Sequence, residues 1–313
     1  MILDILLIVL GVVLVIWGAD RMTDGAVSIA QRLQIPEIVI GLTIVAMGTS
    51  MPEFCVSLVS ALKGTSDLAV GNVLGSNVFN ELLIVGVTAM LAPMLLSRST
   101  VWKDMPWAVL AALSLGVMCL DGQISRVDAA ILFVLFIAFM AYTLYMARKG
   151  KNQPEEEDGQ KKTYKPLVAV GLVLLGLACL IGGSNIFVDA ATRVAAALGV
   201  SEAVIGLTIV AGGTSLPELA TSVVAARKGR SAIAIGNVIG SNVFNVLMII
   251  GITGLVCPME IQGITIVDLV VMMGGMVMLW LFSYTKLKVE RWEGAVLTAV
   301  FAAYMGWLIS QAI

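Results

Sequence analysis

The chain has 313 residues, 59% of them hydrophobic and 13% charged, with a mean hydropathy of +1.00 and a formal charge of −2. Soluble domains run at about 45–50% apolar and about 25% charged, so these values exclude a water-soluble globular fold and point to a polytopic membrane protein. The absence of histidine excludes Ser-His-Asp and Cys-His catalysis and argues against a zinc centre, no basic patch invites nucleic acid, and the four scattered cysteines read as small buried packing residues.

Ten apolar runs follow one another, at residues 2–30, 36–62, 68–96, 105–121, 127–147, 166–195, 201–226, 232–257, 262–284 and 289–311. The first lacks a basic leader and a small-x-small cleavage site, and it carries Asp4, so it reads as a retained span. The one long hydrophilic stretch runs from Arg148 to Lys165, with Pro, Gly and charges of both signs, and reads as a linker. The expected fold is an all-α membrane protein of ten transmembrane helices: a five-helix repeat at 1–147, the linker at 148–165 and a second five-helix repeat at 166–313.

The halves are related in sequence. Pro36–Asn80 and Ser201–Asn245, aligned without gaps at an offset of 165, agree at 30 of 45 positions, which indicates duplication. Five spans per half is an odd number, so the second half enters the membrane from the opposite side, which predicts inverted repeats. With the N-terminus outside, sixteen Lys and Arg fall on the cytoplasmic side and only Lys63, Arg126 and Arg193 on the outer side. This positive-inside bias predicts an inner-membrane protein with both termini outside and the linker in the cytoplasm.

Within each half two segments differ from ordinary lipid-facing helices. The second span carries MGTSMPE at Met47–Glu53, and the seventh carries GGTSLPE at Gly212–Glu218. Pro52 and Pro217 remove a backbone donor and collide with the carbonyls of Gly48 and Gly213. Each helix is expected to break there and leave carbonyls such as those of Ala46 and Ala211 short of partners. Thr49, Ser50 and Glu53 share that turn, as do Thr214, Ser215 and Glu218. Hydroxyls, carboxylates and carbonyls are hard oxygen ligands suited to alkali and alkaline-earth cations.

The third and eighth spans carry GNVLGSNVFN at Gly71–Asn80 and GNVIGSNVFN at Gly236–Asn245. Asn72, Ser76 and Asn80 form one polar stripe at a spacing of four, which Asn237, Ser241 and Asn245 repeat, and the flanking glycines admit a close neighbouring helix. A charged residue at mid-membrane costs about 2.5–3.5 kcal/mol to insert and usually marks an ion path. Two such glutamates near each other need cations or protons to neutralise them. Glu81 has no counterpart, since Val246 stands at its place in the second half. It reads either as a group lining an access path or as a protonated carboxyl. Asp20, Asp24 and Asp189 read as interfacial or packing groups.

These paired motifs resemble the two alpha repeats of the cation/Ca²⁺ exchanger superfamily, and within it the prokaryotic Na⁺/Ca²⁺ exchangers. The resemblance covers essentially the whole chain. It implies inverted five-helix repeats, four ion sites between the alpha repeats, and electrogenic exchange of about three Na⁺ for one Ca²⁺ by alternating access. Carried over by position, it places ligands at the Ala46 carbonyl, Thr49, Ser50, Glu53, Ser76 and Asn80, and at the Ala211 carbonyl, Thr214, Ser215, Glu218, Ser241 and Asn245. Some relatives have aspartate where this chain has Asn245, so the resemblance implies two carboxylates here and argues against a K⁺ requirement.

The expectation is a secondary active Na⁺/Ca²⁺ antiporter rather than an enzyme, with no cofactor, Na⁺ and Ca²⁺ as substrates and the bilayer as surroundings. Spans one and six, which lack the proline break, are expected to slide across the core as gates. The nearest alternative is a Ca²⁺/H⁺ antiporter, or one for another divalent cation, using the same glutamates. A cation channel and an intramembrane hydrolase built on Ser50 or Ser215 are further readings. The hydrolase is disfavoured because no histidine or nearby lysine supplies a base.

Overall fold

A computed structural model describes residues 2–149, 164–199, 209 and 211–312. Residues 150–163 of the expected linker and residues 201–208 and 210 of the expected seventh span lie outside the described residues. The helices are α1 (Ile2–Leu33), α2 (Glu37–Thr49), α3 (Met51–Leu62), α4 (Ser66–Leu91), α5 (Thr100–Asp121), α6 (Arg126–Lys149) and α7 (Pro166–Ala197). After them come α8 (Ala211–Thr214), α9 (Leu216–Arg227), α10 (Ser231–Val256), α11 (Ile266–Lys286) and α12 (Arg291–Ala312). Among the described residues, eight helices are long and apolar enough to cross a membrane, and the pair α2–α3, bent by 47°, makes a ninth. α8 and α9 represent the described part of the span expected at 201–226.

Four two-residue strands were not expected from the sequence: β1 (Met94–Leu95), β2 (Gln123–Ile124), β3 (Met259–Glu260) and β4 (Lys288–Val289). They pair antiparallel, Met94 with Val289 and Ile124 with Met259. Adding 165 to Met94 gives Met259, and adding 165 to Ile124 gives Val289. Each two-stranded sheet therefore joins one strand from each half, the two sheets are related by the same offset, and the duplication extends well beyond the aligned motifs. β1 also ends the third span at Leu91, earlier than expected. The ninth helix starts late, at Ile266, because Thr265 and Asp268 form a capping box there.

The first helices of the halves cross at glycines. Gly11, Gly18 and Gly25 of α1 lie against Gly183, Gly176 and Ala169 of α7, so numbers rise on one helix as they fall on the other. The two helices run antiparallel. A Cβ at Gly18 would sit 2.7 Å from the Gly176 carbonyl, and one at Gly176 would sit 2.7 Å from the Gly18 carbonyl. No side chain fits at this contact, as in small-residue membrane interfaces.

α4 and α10 form the centre. In α10 94% of the most apolar window is buried and in α4 72%, whereas α1, α6 and α12 reach 22% and turn the rest outward. α10 lies so close to α2 that a Cβ at Gly240 would meet the Leu42 carbonyl at 2.8 Å and the Ala46 Cβ at 2.6 Å. This brings the second half's stripe onto the first half's broken helix. Of the free cysteines, Cys119 is buried as expected, but Cys55 is exposed on α3.

Candidate ion-binding site

The chain breaks at Ser50 (φ −83°, ψ 6°) and Ser215 (φ −90°, ψ 5°), each standing as N-cap to the next helix. Pro52 and Pro217 take the second helical position, where a missing N–H costs nothing. Glu53 and Glu218 follow at the third, within reach of the positive end of the helix dipole. Ser-x-Pro-Glu has the spacing of a capping box, yet neither serine makes a side-chain cap. The hydroxyls cross between the halves instead.

Ser50 Oγ donates to Glu218 Oε1 at 3.2 Å, and Ser215 Oγ lies 3.5 Å from Glu53 Oε1. Ser76 Oγ donates to the same Glu53 oxygen at 3.4 Å and meets Ser215 Oγ at 3.1 Å. Thr214 stands beside Glu53, and Thr49 stands beside Glu218 while donating to Asn237 Oδ1 at 3.2 Å. Glu53, Glu218, Thr49, Ser50, Ser76, Asn80, Ser215, Ser241 and Asn245 are all buried.

A second layer fixes the backbone beneath the glutamates. Asn72 Nδ2 donates to the Glu53 carbonyl at 3.1 Å and to Ser57 Oγ, which donates on to the Ala69 carbonyl. Asn237, Ser222 and Ala234 repeat this chain beneath Glu218. Asn72 and Asn237 thus buckle each broken helix to its neighbour, and the outer end of the stripe serves the backbone.

One expectation is corrected. The Ala46 carbonyl is not bare: it accepts from the Ser50 N–H at 3.0 Å and from Thr49 Oγ1 at 3.3 Å. The helix survives one turn further than the proline rule suggested, because the donor that Pro52 removes is the one facing Gly48 rather than Ala46. The second contact is shared, because the single Thr49 proton also reaches Asn237 Oδ1 at 3.2 Å, so the Ser50 N–H is the firm partner of this carbonyl. At the equivalent break the Gly213 carbonyl accepts a short hydrogen bond from Ser184 of α7. Ala19 of α1 stands at the matching position and brings no hydroxyl.

Sequence reasoning also missed Asn77 and Asn242, the middle asparagines of GNVLGSNVFN and GNVIGSNVFN. Asn80 Nδ2 donates to Asn242 Oδ1 at 3.0 Å, and Asn245 Nδ2 donates to Asn77 Oδ1 at 3.0 Å. The exchange is reciprocal between halves. Their spacing from the stripe hid them. From Phe79 and Phe244 onward the backbone winds as π-helix, which shifts the phase of the helix at Asn80 and Asn245.

Several buried oxygens have no partner among the described residues: Glu53 Oε2, Glu218 Oε2, Asn80 Oδ1, Asn245 Oδ1 and Ser241 Oγ. Burying such atoms unmatched is costly. Neither Glu53 nor Glu218 pairs with a Lys or Arg, and no cluster of three or more His, Cys, Asp or Glu exists, among the described residues. A cation here would complete its shell with hydroxyl and amide oxygens beside two carboxylates. That set suits a hard ion held by neutral oxygen donors.

Charges elsewhere distinguish the two ends of the molecule. Lys228, after α9, contacts Asp20 at 2.6 Å and Asp24 at 2.7 Å on α1, and Arg230 forms a buried pair with Glu37 at 3.0 Å. At the other end the equivalent Lys63 and Asp189 are exposed and make no ion pair among the described residues.

The chain is similar to known proteins along nearly its whole length. The family described as sodium/calcium exchanger protein matches residues 3–145 and 168–310. CaxA of Alkalimonas amylolytica is 39% identical over 99% of this chain and 100% of its own. Sodium/calcium exchanger MaX1 of Methanosarcina acetivorans is 31% identical over 96% of this chain and 97% of its own. A solved structure of the sodium-calcium exchanger NCX_Mj, soaked with Na⁺ and Ca²⁺, superposes with a TM-score of 0.85 at 29% identity, covering 98% of both chains.

Proposed function

The chain belongs to the sodium/calcium exchanger family, and from that premise we propose that it is a Na⁺/Ca²⁺ antiporter working by alternating access, electrogenic at about three Na⁺ per Ca²⁺. It is a transporter and not an enzyme. The observation that carries this reading is the set of five unpartnered buried oxygens, drawn from both motif copies and both halves. A bound cation would give them partners, and two glutamates balance one Ca²⁺ or two Na⁺ by charge.

In this reading Glu53 and Glu218 serve both ions in turn. Thr49, Ser50, Ser76, Asn80, Thr214, Ser215, Ser241 and Asn245 supply the remaining side-chain oxygens. The Ala46 carbonyl joins them where the ion displaces a contact such as that of Thr49, and the Ala211 carbonyl is its counterpart in the second half. The antiparallel run of α1 against α7 and the reciprocal strand pairs support ten spans in inverted repeats, 1–147 and 166–313, joined by the linker 148–165. Sixteen basic residues on one side support a multi-pass cell-membrane protein with both termini outside and the linker in the cytoplasm. α1 and α7, packed through bare glycine, slide across the core as gates.

The test is ⁴⁵Ca²⁺ uptake into Na⁺-loaded proteoliposomes at matched pH. Uptake that requires the outward Na⁺ gradient and grows when an inside-negative potential is removed fits the proposal, because three Na⁺ leaving carry more charge than one Ca²⁺ entering. Uptake indifferent to Na⁺ and driven by a pH gradient would replace it with Ca²⁺/H⁺ exchange at the same glutamates.

A further inference from the structure

Glu81 is fully buried in α4, directly after Asn80, and Val246 occupies its place in the other half. Its Oε2 accepts from Asn242 Nδ2 at 3.3 Å. Its Oε1 has no partner among the described residues and faces Gly275 of α11, where an added Cβ would lie 2.5 Å away. A side chain at that position would require the Glu81 carboxyl to shift.

The amides around Glu81 form a directed chain. Asn242 gives its nitrogen to Glu81, so its oxygen is the end that accepts from Asn80 Nδ2. Asn80 has then committed its nitrogen away from the ions, and its Oδ1 is left buried and unpartnered. The other half reaches the same result differently. Asn77 Nδ2 donates to the backbone carbonyl of Asn242 at 3.3 Å, which leaves Asn77 Oδ1 to accept from Asn245, and Asn245 Oδ1 is free. Asn245 Nδ2 also donates to Ser76 Oγ at 3.2 Å, so Asn245 is held from two sides, whereas Asn80 is oriented through Asn242. The two ends of an amide differ, one donating and one accepting. If Asn242 turned over, it would present NH₂ to the NH₂ of Asn80, and Asn80 would turn its own NH₂ toward a cation.

We propose that Glu81 is a positioning residue of the ion site, accepting from Asn242 so that Asn242 holds Asn80 with its oxygen toward the cation. The inference rests on the exchanger reading above. Groups that orient metal ligands through one intervening contact typically change metal affinity by about 10–100-fold when removed.

The test compares Glu81→Val, the residue of the other half, with Glu81→Met and Glu81→Gln in Na⁺-dependent Ca²⁺ exchange. Each variant is first checked for monodisperse elution in detergent, and the two apolar variants differ in shape so that a packing failure in one does not decide the matter. The apolar variants should raise the Ca²⁺ KM about tenfold with Vmax changed less than about twofold. Glu81→Gln keeps an acceptor at the same place and should recover most of that affinity. In an Asn80→Ala background, Glu81→Val should add no further loss, because residues acting through one another are not additive. A Gln variant as impaired as Val, or a full additional loss in the Asn80→Ala background, would overturn the relay. Wild-type vesicles in the same assay report separately on the exchanger reading: if they fail to exchange, that premise falls, whereas active wild type with unaltered apolar variants removes the relay alone.

Discussion

Ser50 of the first half reaches Glu218 of the second, and Ser215 of the second reaches Glu53 of the first. Asn72 and Asn237 hold the two glutamate backbones in matching bonds. One layer outward the halves part. Ser184 covers the Gly213 carbonyl where Ala19 offers nothing, Glu81 faces Val246 across the offset, and Lys228 ties down two aspartates while Lys63 is free of ion pairs among the described residues. In the proposed exchanger, the groups that differ between the halves are the ones able to distinguish its two ends, because a fully two-fold arrangement would hold both ends alike.

The largest expected effect breaks what the halves share in packing. Gly240→Leu drives a side chain into the Leu42 carbonyl and the Ala46 Cβ, and overpacking of this kind costs about 1–3 kcal/mol or more. Folded protein recovered from detergent should fall steeply, as read by size-exclusion chromatography. Next come the crossed hydroxyls. Ser50→Ala and Ser215→Ala each remove a hydrogen bond to a carboxylate, a loss of about 1.5–3 kcal/mol. Each should weaken Ca²⁺ affinity by about tenfold or more, and by similar factors, in equilibrium binding. Dissimilar factors would show that the crossing is less symmetric than the bonds suggest.

Two smaller effects probe where the halves differ. Ser184→Ala leaves the Gly213 carbonyl without its donor, which at about 1 kcal/mol should lower Tm by about 2–4 °C. Lys228→Gln releases α1 from the end of α9. The pair is partly exposed, and such pairs contribute about 0–1 kcal/mol. Amide exchange across residues 19–24 should quicken by a few-fold, while Lys63→Gln leaves it unchanged.

The site's carboxylates and hydroxyls were legible in the sequence because the duplication repeats them, and proline beside glycine marked the break. What stayed hidden depends on contacts between helices, which spacing along one helix does not encode. Asn77 and Asn242 fall off the four-residue stripe and become partners only because α4 and α10 lie side at side. Ser184 looked like one more small residue in an apolar run until α7 brought it against Gly213. The bareness expected of Ala46 failed for a local reason, since Ser50 still donates to it before the chain turns. The exchanged strands at Met94 and Met259 are two residues long, too short for any alternation to signal them.

The central claim is that the two motif copies build one shared site rather than two separate ones. Ca²⁺ exchange in proteoliposomes should be measured for Glu53→Gln, Glu218→Gln and the double variant, each at matched protein per vesicle. A shared site predicts that either single variant abolishes exchange as fully as the double one. Single variants that each retain about half the wild-type rate, with loss only in the double variant, would mean two independent sites and would contradict the account.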